Sequence, residues 1–271
     1  MDTMSGAREP RRGFTLIEML AVIVIIGILA SLITMAAVAA INRAKKARIK
    51  LEIDGLEMAI KNYINEFGDL PDFTDEDAVW RHMKNRWPKI TDAQINSVLS
   101  NQNAASSIVF FLGGMTDPGN PKKLIGFSAD ERNPFDTSTN VSRDPPRFEF
   151  EPDRLGRMNG VLVYYPDLGV TMNSCPFVYF RARGKAGYDA DIQDCDILGR
   201  DGAAGDTQTI RPYYNTETDD WVNASSFQLV SAGLDDQYGT GNKYPVGTDY
   251  SPETFDNIAN FSNVTLDDMR P

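Results

Sequence analysis

Hydrophobic positions follow three patterns along the chain. From Phe14 to Ile41, 28 residues carry one charge, Glu18, and the 23 residues Met19–Ile41 carry none. An all-round apolar helix of that length rises roughly 35 Å, enough to cross a bilayer core of about 30 Å. A cleaved secretory signal has an apolar core of only about 7–15 residues, so the run reads as a retained membrane helix despite an A-x-A stretch at Ala37-Val38-Ala39. Beyond Ile41, the positions Ile49, Ile53, Leu56, Ile60, Ile64 and Phe67 recur at spacings of three and four. That predicts an amphipathic helix, with Lys45, Lys46, Lys50, Glu52, Asp54, Glu57 and Lys61 on its other faces. Gly68 and Pro71 predict its end. One helix from about Phe14 to Phe67 would be roughly 80 Å long. The alternative is two helices with a break near Asn42.

The third pattern is mixed. Residues 72–146 read as helical and loop-rich. Thr74 is positioned to cap a helix that runs to Trp87 and stops at Pro88, and Thr91 to cap Asp92–Leu99. Trp80, Trp87, Phe110 and Phe111 read as core, since large apolar side chains are mostly buried. Residues 117–121 and 130–146 are rich in Pro, Asn, Asp and Ser and read as loops. From Arg147 onward the period becomes that of strands, at Phe148–Phe150, Val161–Tyr165, Phe177–Phe180 and Phe227–Val230. Helices followed by spaced strands predict an α+β body, with an antiparallel sheet against the long helix.

Charge sharpens the division. The net formal charge is −11; residues 1–13 hold +1 and residues 14–50 hold +4, which leaves −16 for residues 51–271. An acidic body argues against general nucleic-acid binding, which needs a basic surface. The single histidine, His82, excludes most histidine-based zinc chemistry. Enzyme motifs are missing: there is no G-x-S-x-G, no H-E-x-x-H and no P-loop, since Gly184-Lys185 is followed by alanine. The chain therefore reads as a non-enzyme.

The residues Arg11-Arg12-Gly13-Phe14-Thr15-Leu16-Ile17-Glu18 resemble the processing site of type IV prepilins and type II secretion pseudopilins: a basic leader, a glycine, a phenylalanine, and a glutamate at the fifth mature position before a long apolar helix. The resemblance implies that a prepilin peptidase cuts between Gly13 and Phe14 and N-methylates Phe14. It also gives Glu18 a partner, the positive N-terminus of a neighbouring subunit. A buried carboxylate needs an opposite charge, and such a pair would fix the register between helices. Two features depart from the family. Met35 stands where many members have proline. Five positive residues at 43–50 follow the helix against three before it, opposite to the positive-inside tendency for an exported body.

The C-terminal stretch Phe227–Gly239, followed by Asp256-Asn257-Ile258, resembles the calcium loop of the major (G-type) pseudopilins. By that resemblance Asp235 and Asp256 are side-chain ligands of Ca²⁺, with carbonyls near Leu229 and Ser231; Asp236 stands where the family has glycine, so either neighbouring carboxylate could face the metal. Oxygen donors on a glycine-bearing loop suit calcium. A second acidic run, Asp189, Asp191, Asp194, Asp196 and Asp201, lacks the EF-hand glycine and terminal glutamate and reads as a solvated loop. Cys175 and Cys195 flank it; in an exported body they could form a disulfide worth roughly 3 kcal/mol, the alternative being two buried free thiols.

The resulting expectation is a leader at 1–13, a transmembrane and assembly helix at 14–41, its amphipathic half at 42–71, and a periplasmic body at 72–271. The chain would be a structural subunit of a type II secretion pseudopilus. It would be held as a single pass in the bacterial inner membrane and assembled as a homo- or hetero-oligomeric filament. Its partners would be the prepilin peptidase, the inner-membrane assembly platform and membrane lipid, with no nucleic acid. The alternatives are a minor type IV pilin, or an exported enzyme or binding protein that uses a prepilin leader.

Overall fold

The computed structural model describes residues 15–100, 102–168, 174–189, 193–197, 208–244, 252–263 and 265–266. Contacts divide the chain into two units, Met1–Ala44 and Lys45–Pro271. Helix α1 is Leu16–Phe67, with no break near Asn42. In the first unit it is exposed along its whole described length. It holds the chain's one described helix long and apolar enough to cross a membrane, with a mean hydropathy of 2.9 over its most apolar window and none of that window buried. The molecule is α+β, as expected.

In the second unit the remainder of α1 turns one face inward. Ile49, Ile53, Leu56, Ala59, Ile60 and Tyr63 are buried, while Ile64 and Phe67 are half-covered at the margin. These side chains pack with α2 (Glu76–Arg86), α4 (Ser107–Gly113) and one face of a three-stranded antiparallel sheet. In that sheet the strand Phe227–Ser231 is central, flanked by Val178–Arg181 and Ile258–Ala259. Alternation splits the central strand between two cores: Phe227 and Leu229 face α1, and Val230 faces a second apolar cluster that holds Tyr213, Tyr238 and both cysteines. The remaining described strands form two- and three-stranded pieces, nearly all antiparallel; Tyr214–Asn215 with Lys243–Tyr244 is a parallel exception. Phe148–Phe150, expected as a strand, forms none, and its two rings instead meet Tyr164 edge to face.

Charged side chains also fasten α1 to the body. Glu52 receives both outer nitrogens of Arg154, at 2.7 and 2.6 Å, and Arg154 also donates to the Tyr165 carbonyl. Tyr63 Oη, Arg86 and Asp144 form a second chain of bonds, with the guanidinium enclosed by the rings of Phe67, Trp87 and Phe127. His82 Nε2 shares the Tyr63 hydroxyl at 2.8 Å, and burial, helped by the Arg86 charge, pushes its pKa down to about 4. His82 is thus a neutral member of a packed core. Trp87 is buried as expected, but Trp80 is 39% exposed and lies beneath Lys84.

Helix starts follow cap chemistry. Thr91 caps α3 (Asp92–Leu99) in a reciprocal box with Gln94, as its sequence predicts. At α2 the cap is Asp75, not Thr74: Thr74 turns both its backbone N–H and its hydroxyl onto Asp72, and Asp75 accepts from Ala78.

Candidate functional site

Two groups of residues carry the sequence's functional expectations. At the start of α1, Thr15 is the residue before the helix and Glu18 its third. The Glu18 Oε2 atom accepts from the Thr15 amide and hydroxyl, both at 2.8 Å, and Glu18 N–H returns a 3.3 Å bond to Thr15 Oγ1. This is a capping box, built from the T-x-x-E spacing. Both bonds to the carboxylate use Oε2; Oε1 has no partner among the described residues. One carboxylate can therefore cap its own helix through one oxygen and present the other outward. Gly13 and Phe14 lie outside the described residues. The helix beyond is uncovered: Leu16 is 84% exposed and Ile33 67%.

The second group is the return loop after the central strand. Ser231 pairs with Ile258, so the chain that leaves the strand comes back beside its own end. Gly233, at φ +75°, permits the turn; a Cβ there would lie 2.2 Å from the Asp256 carbonyl oxygen. Asp256 Oδ2 accepts the amides of Leu234 and Asp235, at 2.6 and 3.3 Å. The Asp235 side chain lies within hydrogen-bonding reach of Asp256, so two carboxyls meet. Three oxygens of the strand end and the returning segment are buried without a hydrogen bond: Asp256 Oδ1, Ser231 Oγ and Asn257 Oδ1, the last on a side chain whose amide nitrogen donates to Tyr213 Oη and the Tyr238 carbonyl in the second cluster. Burial holds the Asp256 carboxyl above its usual range, against the two amides and the charge of Lys46. Unpartnered buried oxygens are costly and need an explanation, of which an ion is one. Among the described residues no three His, Cys, Asp or Glu side chains gather at one point. A cation held here would take Asp256 and Asp235. That donor set fits calcium better than zinc.

The other expected ligands lie elsewhere. Asp236, at φ +60°, points away from Asp256: its two oxygens accept from Cys175 N–H at 3.2 Å and Ser174 Oγ at 3.1 Å. The Leu229 carbonyl is bonded to the Asn260 amide. Asn257, which the sequence reading passed over, supplies an orphaned oxygen; its position directly after Asp256 was the available signal.

Cys175 and Cys195 are buried free thiols in this structure, not the disulfide given as one expectation. Cys175 Sγ is directed to the Asp236 carbonyl at 3.0 Å. Burial pushes both thiols up to about 12. In the second acidic run, Asp196 accepts from Thr209 Oγ1 and Asp194 lies 3.9 Å from Arg211; Asp191 and Asp201 are outside the described residues.

Neither a curated protein nor a solved structure matches the chain. A family model does: the prokaryotic N-terminal methylation motif matches residues 10–34, the segment that holds the expected cleavage position, the Glu18 capping box and the first part of the exposed apolar helix, and this match supports the type IV prepilin-like family.

Proposed function

We propose that the chain is a structural subunit of a type II secretion pseudopilus. The observation that carries this reading is the methylation motif at residues 10–34, in register with an apolar helix whose most apolar window is buried by none of the described residues. In this reading a prepilin peptidase cleaves after Gly13 and methylates the new amine of Phe14. The mature subunit rests in the inner membrane with its body in the periplasm until the assembly platform adds it to the filament. The charges of Phe14 and Glu18 then meet between neighbouring subunits, through the Glu18 oxygen that the helix cap leaves unused. Calcium at Asp235 and Asp256 closes the C-terminal loop. That loop favours a pseudopilin over a minor type IV pilin.

Mass spectrometry of the protein purified from its native membrane tests the processing step. The expected N-terminus is N-methylated Phe14; an intact Met1, or a start at Ile41, would overturn the reading.

A further inference from the structure

A cavity of about 320 Å³ lies on the body between the end of α1, the start of α2 and the strand Val178–Arg181, and is lined by Asp69, Asp72, Asp75, Arg81, Arg181 and Arg183. Three acids and three arginines give no net formal charge, so composition alone says nothing of its preference. The hydrogen bonds do. Asp72 is 1% exposed, and both of its oxygens are filled: Oδ1 by the amide and hydroxyl of Thr74, Oδ2 by the Arg181 amide at 2.7 Å and Gln193 Nε2 at 2.9 Å. Asp75 uses Oδ1 to cap α2 through Ala78. Asp69 Oδ1 takes the Leu70 amide at 2.9 Å and Arg181 Nε at 2.6 Å. The acids are largely committed to holding the frame.

The arginines are not. Arg181 commits Nε to Asp69 and Nη1 to the Ser226 carbonyl, which leaves Nη2. Arg183 donates Nη2 to the Thr74 carbonyl, while its buried Nε makes no hydrogen bond and stands 3.5 Å from Asp75 Oδ2. Arg81 is exposed at the mouth and has no hydrogen bond or ion pair among the described residues. The cavity therefore holds unused guanidinium N–H donors of Arg81, Arg181 and Arg183 beside two carboxylate oxygens, Asp69 Oδ2 and Asp75 Oδ2, that accept no hydrogen bond among the described residues. A planar guanidinium fork matches a carboxylate two bonds at a time. The volume lies at the lower end of small-ligand sites, which run from about 300 to 1,000 Å³.

We infer that this cavity binds a carboxylate group, with Arg81 and Arg183 as its principal donors. The carboxylate can come from a small dicarboxylic acid or from an acidic side chain on a second copy of this chain, whose residues 51–271 carry an excess of sixteen negative charges.

Calorimetric titration of the full-length protein in detergent with succinate is the first test. Saturable binding is expected that weakens about tenfold in R81Q, as for loss of a charge-assisted bidentate contact, and less in R183Q, which removes a single remaining donor, with the R81Q melting temperature unchanged. Sedimentation of the same samples separates the sources. If the site receives a neighbour's side chain, R81Q lowers self-association and succinate competes with it in the wild type. If the ligand is a small acid, R81Q binds succinate weakly yet associates as the wild type does. Absence of saturable succinate binding, or equal affinity in wild type and R81Q, overturns the inference.

Discussion

At the scale of the residue, Glu18 has two separable tasks. Its carboxylate caps α1 through Oε2 and leaves Oε1 available. Glutamine keeps an oxygen able to accept the Thr15 amide but removes the charge, whereas alanine removes both. E18Q should therefore leave the helix and its membrane insertion intact and still abolish filament assembly, while E18A should also fray the first turn, at about 1 kcal/mol. Electron microscopy of filaments, alongside membrane fractionation, distinguishes these outcomes. Normal filaments from E18Q would discard the charge-pair account. The T-x-x-E spacing was in the sequence all along. The functional resemblance drew attention to the same glutamate for its charge, and the local bond went unread.

At the scale of the element, periodicity was a good guide to what is buried and a poor guide to how polar groups are held. The three-four spacing of Ile49, Ile53, Leu56 and Ile60 identified the inward face of α1, because burial of a helix depends on which residues share a side. Tyr63 was missed because it combines a buried ring with a hydroxyl that needs partners, and those partners, His82 and Arg86, come from α2. Glu52 was read as a solvated face residue for a similar reason: its partner, Arg154, lies 102 positions away. Three of the four expected strands lie within a residue of their expected place and Phe148–Phe150 forms none; the pairing was not legible, since β register depends on contacts distant in sequence. The C-terminal loop was legible as a place and not as a ligand set. Asp235 and Asp236 are identical in type, and only the backbone, left-handed at Asp236, decides that the second points to Cys175. The Glu52–Arg154 pair gives the element-scale prediction. Its side chains are 17% and 8% exposed, so removing Glu52 leaves the buried Arg154 guanidinium only the solvent-exposed Glu151, 3.7 Å away, as a charge partner. Glu52→Ala should cost about 3 kcal/mol or more, read as a lower denaturant midpoint; a change under ~1 kcal/mol would place the pair among weak surface bridges.

At the scale of the whole molecule, the apo loop and the pH of the medium are linked. Burial raises the Asp256 carboxyl above its unfolded value. A group shifted that way favours the folded state when protonated, so its contribution is complete in acid and is lost as pH rises through the raised pKa. His82 acts in the opposite sense: lowered from 6.5 to about 4, it contributes above pH 6.5, and that contribution is lost as pH falls through about 4. Total stability against pH mixes the two, so the informative quantity is the difference with and without calcium. Under the proposed calcium site, the ion would bind the ionised carboxylates and offset at neutral pH the cost that a proton offsets in acid. At one hundred times its dissociation constant a ligand adds about 2.7 kcal/mol. For a body of this size that amounts to a melting shift of roughly 5–10 °C. The shift should appear at pH 7.5, reverse with excess chelator, shrink as pH falls through the raised Asp256 value, and vanish in D256N. It should survive in D236N, which loosens the Cys175 segment by about 1–3 kcal/mol but leaves Asp256 and Asp235 in place. A calcium response lost in D236N and kept in D256N would reverse the assignment of the two carboxylates, and no response at pH 7.5 in the wild type would remove the cation from the account while leaving the processing motif and the helix untouched.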